Sequence, residues 1–257
     1  MSRIIRTWEQ YCEDIGITKR HANRLLKEPK EKKDTKKEPE QGDYKTNILL
    51  YDLMMEDVIT NIGPFDLIIA DPPYNVTSWD WDQIQDFLIK SREWLSLCKR
   101  VLKDQYNLFW FCSPKYSADI EMIFRELDLP IQSRIVWHRR NMAMGSDSKN
   151  KFIDTWEMIF HAGNRQLNFS KDWDDKRFDV QTHAVPQTNF TDTKYHPTQK
   201  PLELIKILVE AGSYDGDDVL DPFAGSGTTA ATGLNRNFTL IEKELEHVAI
   251  INKRFGL

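Results

Sequence analysis

From Tyr44 onward the chain alternates short, continuous apolar runs with helical patterns, and few folds accommodate that alternation. Strands apolar on both faces belong to a parallel sheet covered by helices on each side. The expected strands are Asn47–Tyr51, Phe65–Ala70, Tyr106–Cys112, Gln132–His138, Thr155–His161, Asp218–Leu220 and Phe238–Ile241. Between and after them the 3.6-residue period predicts helices over Leu53–Asn61, Gln83–Arg100, Lys115–Leu127, Pro201–Ala211, Thr228–Leu234 and Glu244–Arg254. The fold class is therefore α/β.

A chain of 257 residues holds one such body plus an appendage. No apolar run approaches the roughly 20 residues of a membrane span. Cys12, Cys98 and Cys112 are odd in number and widely spaced, which fits neither a disulfide framework nor a zinc site. His138, His161, His183 and His247 lack metal-ligand spacing as well. These features lead to the expectation of a cytoplasmic protein without a metal.

The net charge of −5 argues weakly against a nucleic-acid partner, but the charge is unevenly spread. Between Gly16 and Lys37 nine Lys and Arg face three acids. Residues 1–28 read as a small helical module: Ile4, Trp8, Tyr11 and Ile15 form one apolar face, and a second helix carries Lys19, Arg20 and Arg24. A short turn at Gly16 joins them, as in a helix-turn-helix that meets a phosphate backbone. Packing or dimerisation is the competing use of such a basic helix. Residues 29–43 are almost wholly charged, with Pro39 among them, and read as a flexible linker. Residues 44–257 form the main domain.

Two segments carry chemistry. The strand ending Leu67-Ile68-Ile69-Ala70 runs into Asp71-Pro72-Pro73-Tyr74, at the edge where open α/β sheets bind ligands. The prolines lack N–H donors and stiffen the turn. A carboxylate, a fixed carbonyl and a π-face in one turn suit a planar ring bearing an exocyclic amine. The second segment, Val219-Leu220-Asp221-Pro222-Phe223-Ala224-Gly225-Ser226-Gly227-Thr228-Thr229, passes from a strand into a Gly-x-Gly loop. Such a loop lets a ligand approach the backbone. Glu242, after Phe238–Ile241, is placed to accept hydrogen bonds from ribose hydroxyls, so an adenosine-containing cofactor is expected.

Asp71-Pro72-Pro73-Tyr74, His196-Pro197-Thr198-Gln199-Lys200-Pro201 and the Asp221–Thr229 run, in that order, resemble the β-class DNA amino-methyltransferases. These enzymes use S-adenosylmethionine to methylate an exocyclic amine of adenine or cytosine. The resemblance covers about Tyr44 to Phe255, and the catalytic segment precedes the Gly-rich one, which is the circularly permuted order of that class. It implies a doubly wound, mostly parallel seven-stranded methyltransferase sheet, in which the strands before Asp71 and Asp221 are neighbours.

By the same resemblance, Asp71 and the Pro72 carbonyl would accept the target amine, with Pro73 in the same catalytic turn, and Tyr74 would stack on the flipped-out base. Phe223, Gly225 and Gly227 would pack around the methionine end of the cofactor, beside Asp71, Asp221 and Thr228. Glu242 would hold the ribose, Asp52 would lie near the cofactor's adenine, and Thr198 and Lys200 would close over the methionine carboxylate. An Asp in the first position of the tetrapeptide goes with adenine N6, and a Ser with cytosine N4. The implied activity is a site-specific adenine-N6 methylation of double-stranded DNA, as in restriction–modification.

Trp79, Trp81, Arg139, Arg140, Lys149 and Lys151 are candidate DNA contacts, with loop packing or solubility as alternatives, and the polar stretch 164–194 is a candidate recognition segment. Rival functions are a cytosine-N4 enzyme on the same scaffold, a nucleic-acid-binding subunit of a methyltransferase pair, and an NAD-dependent dehydrogenase. Methylation at cytosine C5 needs a Cys nucleophile, and the chain has no Pro-Cys dipeptide. A second copy of the chain could be a partner. No nuclease domain fits within the chain, so a restriction endonuclease would be a separate protein.

Overall fold

The computed structural model describes residues 47–76, 82–141, 152–169, 173, 176–186 and 198–257. The N-terminal module with Lys19, Arg20 and Arg24, the linker, Trp79, Trp81, Lys149 and Lys151 lie outside the described residues.

Among the described residues eight strands form one sheet: β1 (Asn47–Tyr51), β2 (Phe65–Ala70), β3 (Leu102–Cys112), β4 (Ile131–Arg139), β5 (Trp156–Gly163), β6 (Val180–His183), β7 (Asp218–Asp221) and β8 (Asn237–Ile241). Their spatial order is β1-β8-β7-β2-β3-β5-β4-β6. Only β5 runs antiparallel to its neighbours, β3 and β4. The mostly parallel α/β sheet is as expected, but it has eight strands rather than seven. The addition is β6, which pairs along β4 inside the polar stretch 164–194. It is four residues long and only Gln181 is buried, so no period-2 apolar pattern marks it.

Alternation along β2 explains the layering. Ile68 and Ala70 join Leu108, Trp110 and Phe160 on one face, beneath α1 (Met55–Val58), α2 (Phe87–Arg100) and α3 (Ser117–Glu126). Leu67 and Ile69 join Phe109 and Phe111 on the other, against α4 (Leu202–Gly212) and Ile251 of α5 (Leu245–Phe255). Because this central strand is covered on both sides, β2 is buried at all six positions. Its one carboxylate, Asp66, accepts from Lys103 (2.6 Å), Arg165 (3.1 Å) and the Asp218 backbone (3.0 Å), tying the entry ends of β2, β3 and β7 together. Among the described residues no helix is long and apolar enough to cross a membrane.

Two helices fall short of expectation. Asp86 adopts a left-handed conformation (φ 54°), so α2 starts at Phe87 and not at Gln83. After the Gly-rich loop only a 3₁₀ turn, Ala230–Thr232, forms. The Thr232 hydroxyl bonds back to the Thr229 carbonyl at 2.9 Å, and Gly233 turns left-handed (φ 65°), which ends the helix before it can extend.

Candidate active site

The sheet reverses its winding between β2 and β7: the chain leaves β2 for β3 on one side and β7 for β8 on the other. Their pairing, Leu67 with Val219 and Ile68 with Leu220, delivers Asp71 and Asp221 to the same edge. There a cleft of about 370 Å³ opens, within the usual range for small-molecule sites. Asp71, Pro73, Thr198, Lys200, Asp221, Phe223, Gly225, Thr228 and Glu242 all line it.

The Asp71–Tyr74 turn is held from an unexpected direction. Asp82, buried to 1% exposure, accepts from the backbone N–H of Asn75 (2.7 Å) and of Val76 (2.9 Å). Asn75, itself left-handed at φ 56°, accepts in return from the Ile84 N–H at 3.1 Å. These bonds fix where the chain leaves Tyr74 and where it re-enters before α2. Nothing in the local sequence marks Asp82, because its partners are backbone groups.

Lys200 is the other anchor. Its ammonium is buried, 2.7 Å from Asp71 Oδ2 and 3.3 Å from Glu157 Oε2. It lies 5.1, 5.3 and 5.8 Å from the ring centroids of Tyr74, Phe111 and Trp137. Burial alone would lower an ammonium's pKa, but the charges of Asp71 and Glu157 and their hydrogen bonds outweigh it, so Lys200 titrates above the usual range. The residue expected over the cofactor's carboxylate is thus engaged with the Asp71 carboxylate. Tyr74, half-buried, donates its hydroxyl to Asp71 Oδ1 at 2.5 Å, with Glu157 Oε2 3.1 Å away. Burial, then the charges of Asp71 and Glu157, push its phenol well above the ordinary tyrosine range.

Arg139 departs from its expected role as a phosphate contact. Its guanidinium is turned inward, 3.4 Å from Glu157 Oε1 and bonded to the Asp154 carbonyl. Arg140, next in sequence, is exposed. Glu157 escaped the sequence reading altogether. The available signal was a carboxylate inside the apolar Thr155–His161 run, where an unpaired charge is costly.

Across the switch point the Gly-rich loop is built on carboxylates. Asp221 accepts from the Thr229 hydroxyl (2.5 Å) and the Phe223 N–H (3.1 Å). Burial, helped by the charges of Asp71 and Glu242, pushes its pKa up to about 7 against the pull of those two hydrogen bonds. Glu242 accepts from the Gly225 N–H (2.7 Å) and the Glu244 N–H (2.8 Å), and His247 Nδ1 stands 3.7 Å away. The Glu242 carboxylate beside it raises the imidazole's pKa.

Gly225, at φ 53°, has open space where a Cβ would stand. Gly227 is not among the residues lining the cleft, and a Cβ there would meet Phe255 Cε2 at 2.9 Å, so this glycine makes room for the packing of α5. Phe223 is fixed edge-on to Trp94 (5.1 Å) and Trp110 (6.3 Å). Asp52 is exposed at the end of β1 and does not line the cleft, and the wall after β1 is made by Leu53, Met54, Met55 and Glu56. Glu56 is locked there by Trp94 Nε1 (2.9 Å) and Lys90 Nζ (2.8 Å).

These residues fit S-adenosylmethionine. Asp221 and Glu242 are buried acceptors, suited to a cationic amino group and a ribose diol, and the space beside Gly225 admits a ligand against the backbone.

The sequence model of the N6/N4 DNA methylase family matches residues 65–253. The chain is 30% identical over 219 residues to the type II methyltransferase M2.DpnII of Streptococcus pneumoniae, covering 74% of this chain and 81% of that protein. It is 32% identical over 228 residues to the DNA adenine methyltransferase YhdJ of Escherichia coli K12, covering 75% and 76% respectively. The crystal structure of the M1.HpyAVI–SAM complex superposes with a TM-score of 0.67 at 27% identity, covering 82% of this chain and 100% of the other.

Proposed function

This chain belongs to the N6/N4 DNA methylase family, and we infer that it transfers a methyl group from S-adenosylmethionine to the N6 amine of adenine in DNA. The observation that supports this division of labour is the meeting of Asp71 and the Gly225 loop at one cleft, from adjacent parallel strands.

When bound, the cofactor supplies an electrophilic methyl group on a positively charged sulfur. The protein's work is to aim the amine. An exocyclic amine is a weak nucleophile because its lone pair is delocalised into the ring. Asp71 accepts one of its N–H bonds and the Pro72 carbonyl the other, so the lone pair turns out of the ring plane toward the cofactor side of the cleft. Tyr74 offers its ring to the base, extruded from the duplex. On the β7 side, Asp221 and Glu242 would hold the cofactor's amino group and ribose, and Phe223, which lines the same cleft, would pack against it. The proton is lost from nitrogen after transfer, with the Asp71 carboxylate beside it.

The reaction is tested by incubating the protein with methyl-labelled S-adenosylmethionine and unmethylated DNA, digesting to nucleosides and identifying the labelled one by mass spectrometry. Labelled N6-methyladenine is expected. Labelled N4-methylcytosine would overturn the base assignment, and no labelled nucleoside would overturn the reaction.

Asp221 also makes cofactor binding pH-dependent. An unfolded Asp loses its proton near 4, whereas Asp221 in the fold keeps it until about 7. The folded state binds the extra proton across that window, so this group makes the ligand-free protein less stable as pH rises from about 4 to 7. A cationic amino group needs the ionised form. Between pH 6 and pH 8 the ionised fraction of Asp221 rises about tenfold, while the cofactor's own amino group, ordinarily titrating near 8, loses part of its charge, so cofactor affinity is expected to rise about fourfold. Titration calorimetry at the two pH values checks this, and an unchanged Kd would refute the role of Asp221.

A further inference from the structure

Both oxygens of Asp71 already carry partners within the protein: the Tyr74 hydroxyl on Oδ1 at 2.5 Å and the Lys200 ammonium on Oδ2 at 2.7 Å. An oxygen holding a short, charge-assisted O–H···O⁻ bond is a weaker acceptor for a second donor. An amine arriving at Asp71 therefore competes with the protein's own hydroxyl. The same hydroxyl stands 3.1 Å from Glu157 Oε2, and a phenol has one hydrogen to give. Two carboxylates thus share one donor.

We propose that Glu157 is a positioning residue that takes over the Tyr74 hydroxyl when the target amine reaches Asp71. The hydroxyl hydrogen turns about its C–O bond from Asp71 Oδ1 to Glu157 Oε2, and Oδ1 becomes free to accept the amine N–H. No bond to a heavy atom breaks, and the phenol keeps its proton throughout. Three features prepare Glu157 for this. It is buried to 9% exposure on β5, opposite Trp137 of β4 in the strand register, so its carboxylate is held in place. Arg139 stands 3.4 Å from one oxygen and Lys200 3.3 Å from the other, and a carboxylate oxygen accepts hydrogen bonds. Lys200 touches both carboxylates, so the hydroxyl moves between two acceptors that one cation already balances.

The inference rests on the methyltransferase reading above, and a double-mutant cycle separates the two. Transfer of labelled methyl groups to DNA is measured for the wild type, Glu157→Met, Tyr74→Phe and the double variant, with Glu157→Gln as a form that keeps an acceptor oxygen. Glu157→Met is expected to lower turnover about 10- to 100-fold, because the hydroxyl then has nowhere to go but Asp71. Glu157→Gln is expected to recover most of that loss. In Tyr74→Phe protein, where there is no hydroxyl to relocate, adding Glu157→Met is expected to cost less than about threefold. Melting temperatures report the structural part: the lost contacts to Lys200 and Arg139 are the same in both backgrounds, so those shifts add. Equal turnover losses in both backgrounds, with an active wild type, would overturn the exchange alone. A wild type that transfers no label would overturn the methyltransferase reading and the exchange with it.

Discussion

Replacing Asp71 with alanine is expected to lower methyl transfer about a thousandfold while changing cofactor affinity only a few-fold. The carboxylate's interaction with the amine strengthens as nitrogen gains positive charge, so its loss falls on the chemical step rather than on binding. Asp221 and Glu242, the residues proposed to hold the cofactor, belong to the β7–β8 side and keep their hydrogen bonds to Thr229, Phe223, Gly225 and Glu244. Lys200 keeps Glu157 at 3.3 Å, so the variant does not strand a buried ammonium and is expected to fold. Single-turnover transfer and titration calorimetry separate the two effects. Substantial turnover by the variant would remove Asp71 from the catalytic centre, and a collapse of cofactor affinity would make it a binding residue instead.

Lys200→Met is expected to cost both stability and activity. The substitution leaves Asp71 with only the Tyr74 hydroxyl, and Glu157 with Tyr74 and Arg139. Breaking a buried ion pair costs about 3–5 kcal/mol, reduced here because the Asp71 side chain is 27% exposed. A loss of about 2–3 kcal/mol corresponds to a fall in melting temperature of roughly 4–12 °C for a domain of this size. Without the ammonium, Asp71 and Glu157 face each other uncompensated, and Asp71 Oδ2 loses the contact that holds it in place. Activity is expected to drop about tenfold through lost positioning. A wild-type melting temperature together with wild-type activity would show that Lys200 does not support Asp71.

The sequence carried the two chemical segments clearly because each is local. Asp71 through Tyr74 directly follow an apolar strand, and the Asp221–Gly225 segment does the same, so their positions at the strand ends followed from the pattern. The reversal of strand order between β2 and β7 brought them together as the permuted motif order implies. Asp52, Gly227 and Arg139 show where that reading ended. All three had the expected residue type, yet Asp52 faces solvent, Gly227 packs under Phe255 and Arg139 turns inward to Glu157. Residue type and motif spacing do not give a side chain's direction, which depends on what the neighbouring elements leave open.

Glu157 is the clearest residue that only the fold could reveal. It lies 83 positions from Tyr74 in the chain, and the antiparallel pairing of β5 with β3 and β4 carries it to the catalytic edge. Hydrophobic periodicity, proline stiffness and glycine freedom act within a few residues, so the sequence by itself determined the elements and the chemistry at their ends. Coulomb and hydrogen-bond energies depend on separation in space and on desolvation. Which cation neutralises Asp71, and which acceptors compete for the Tyr74 hydroxyl, were therefore decided by the tertiary structure alone.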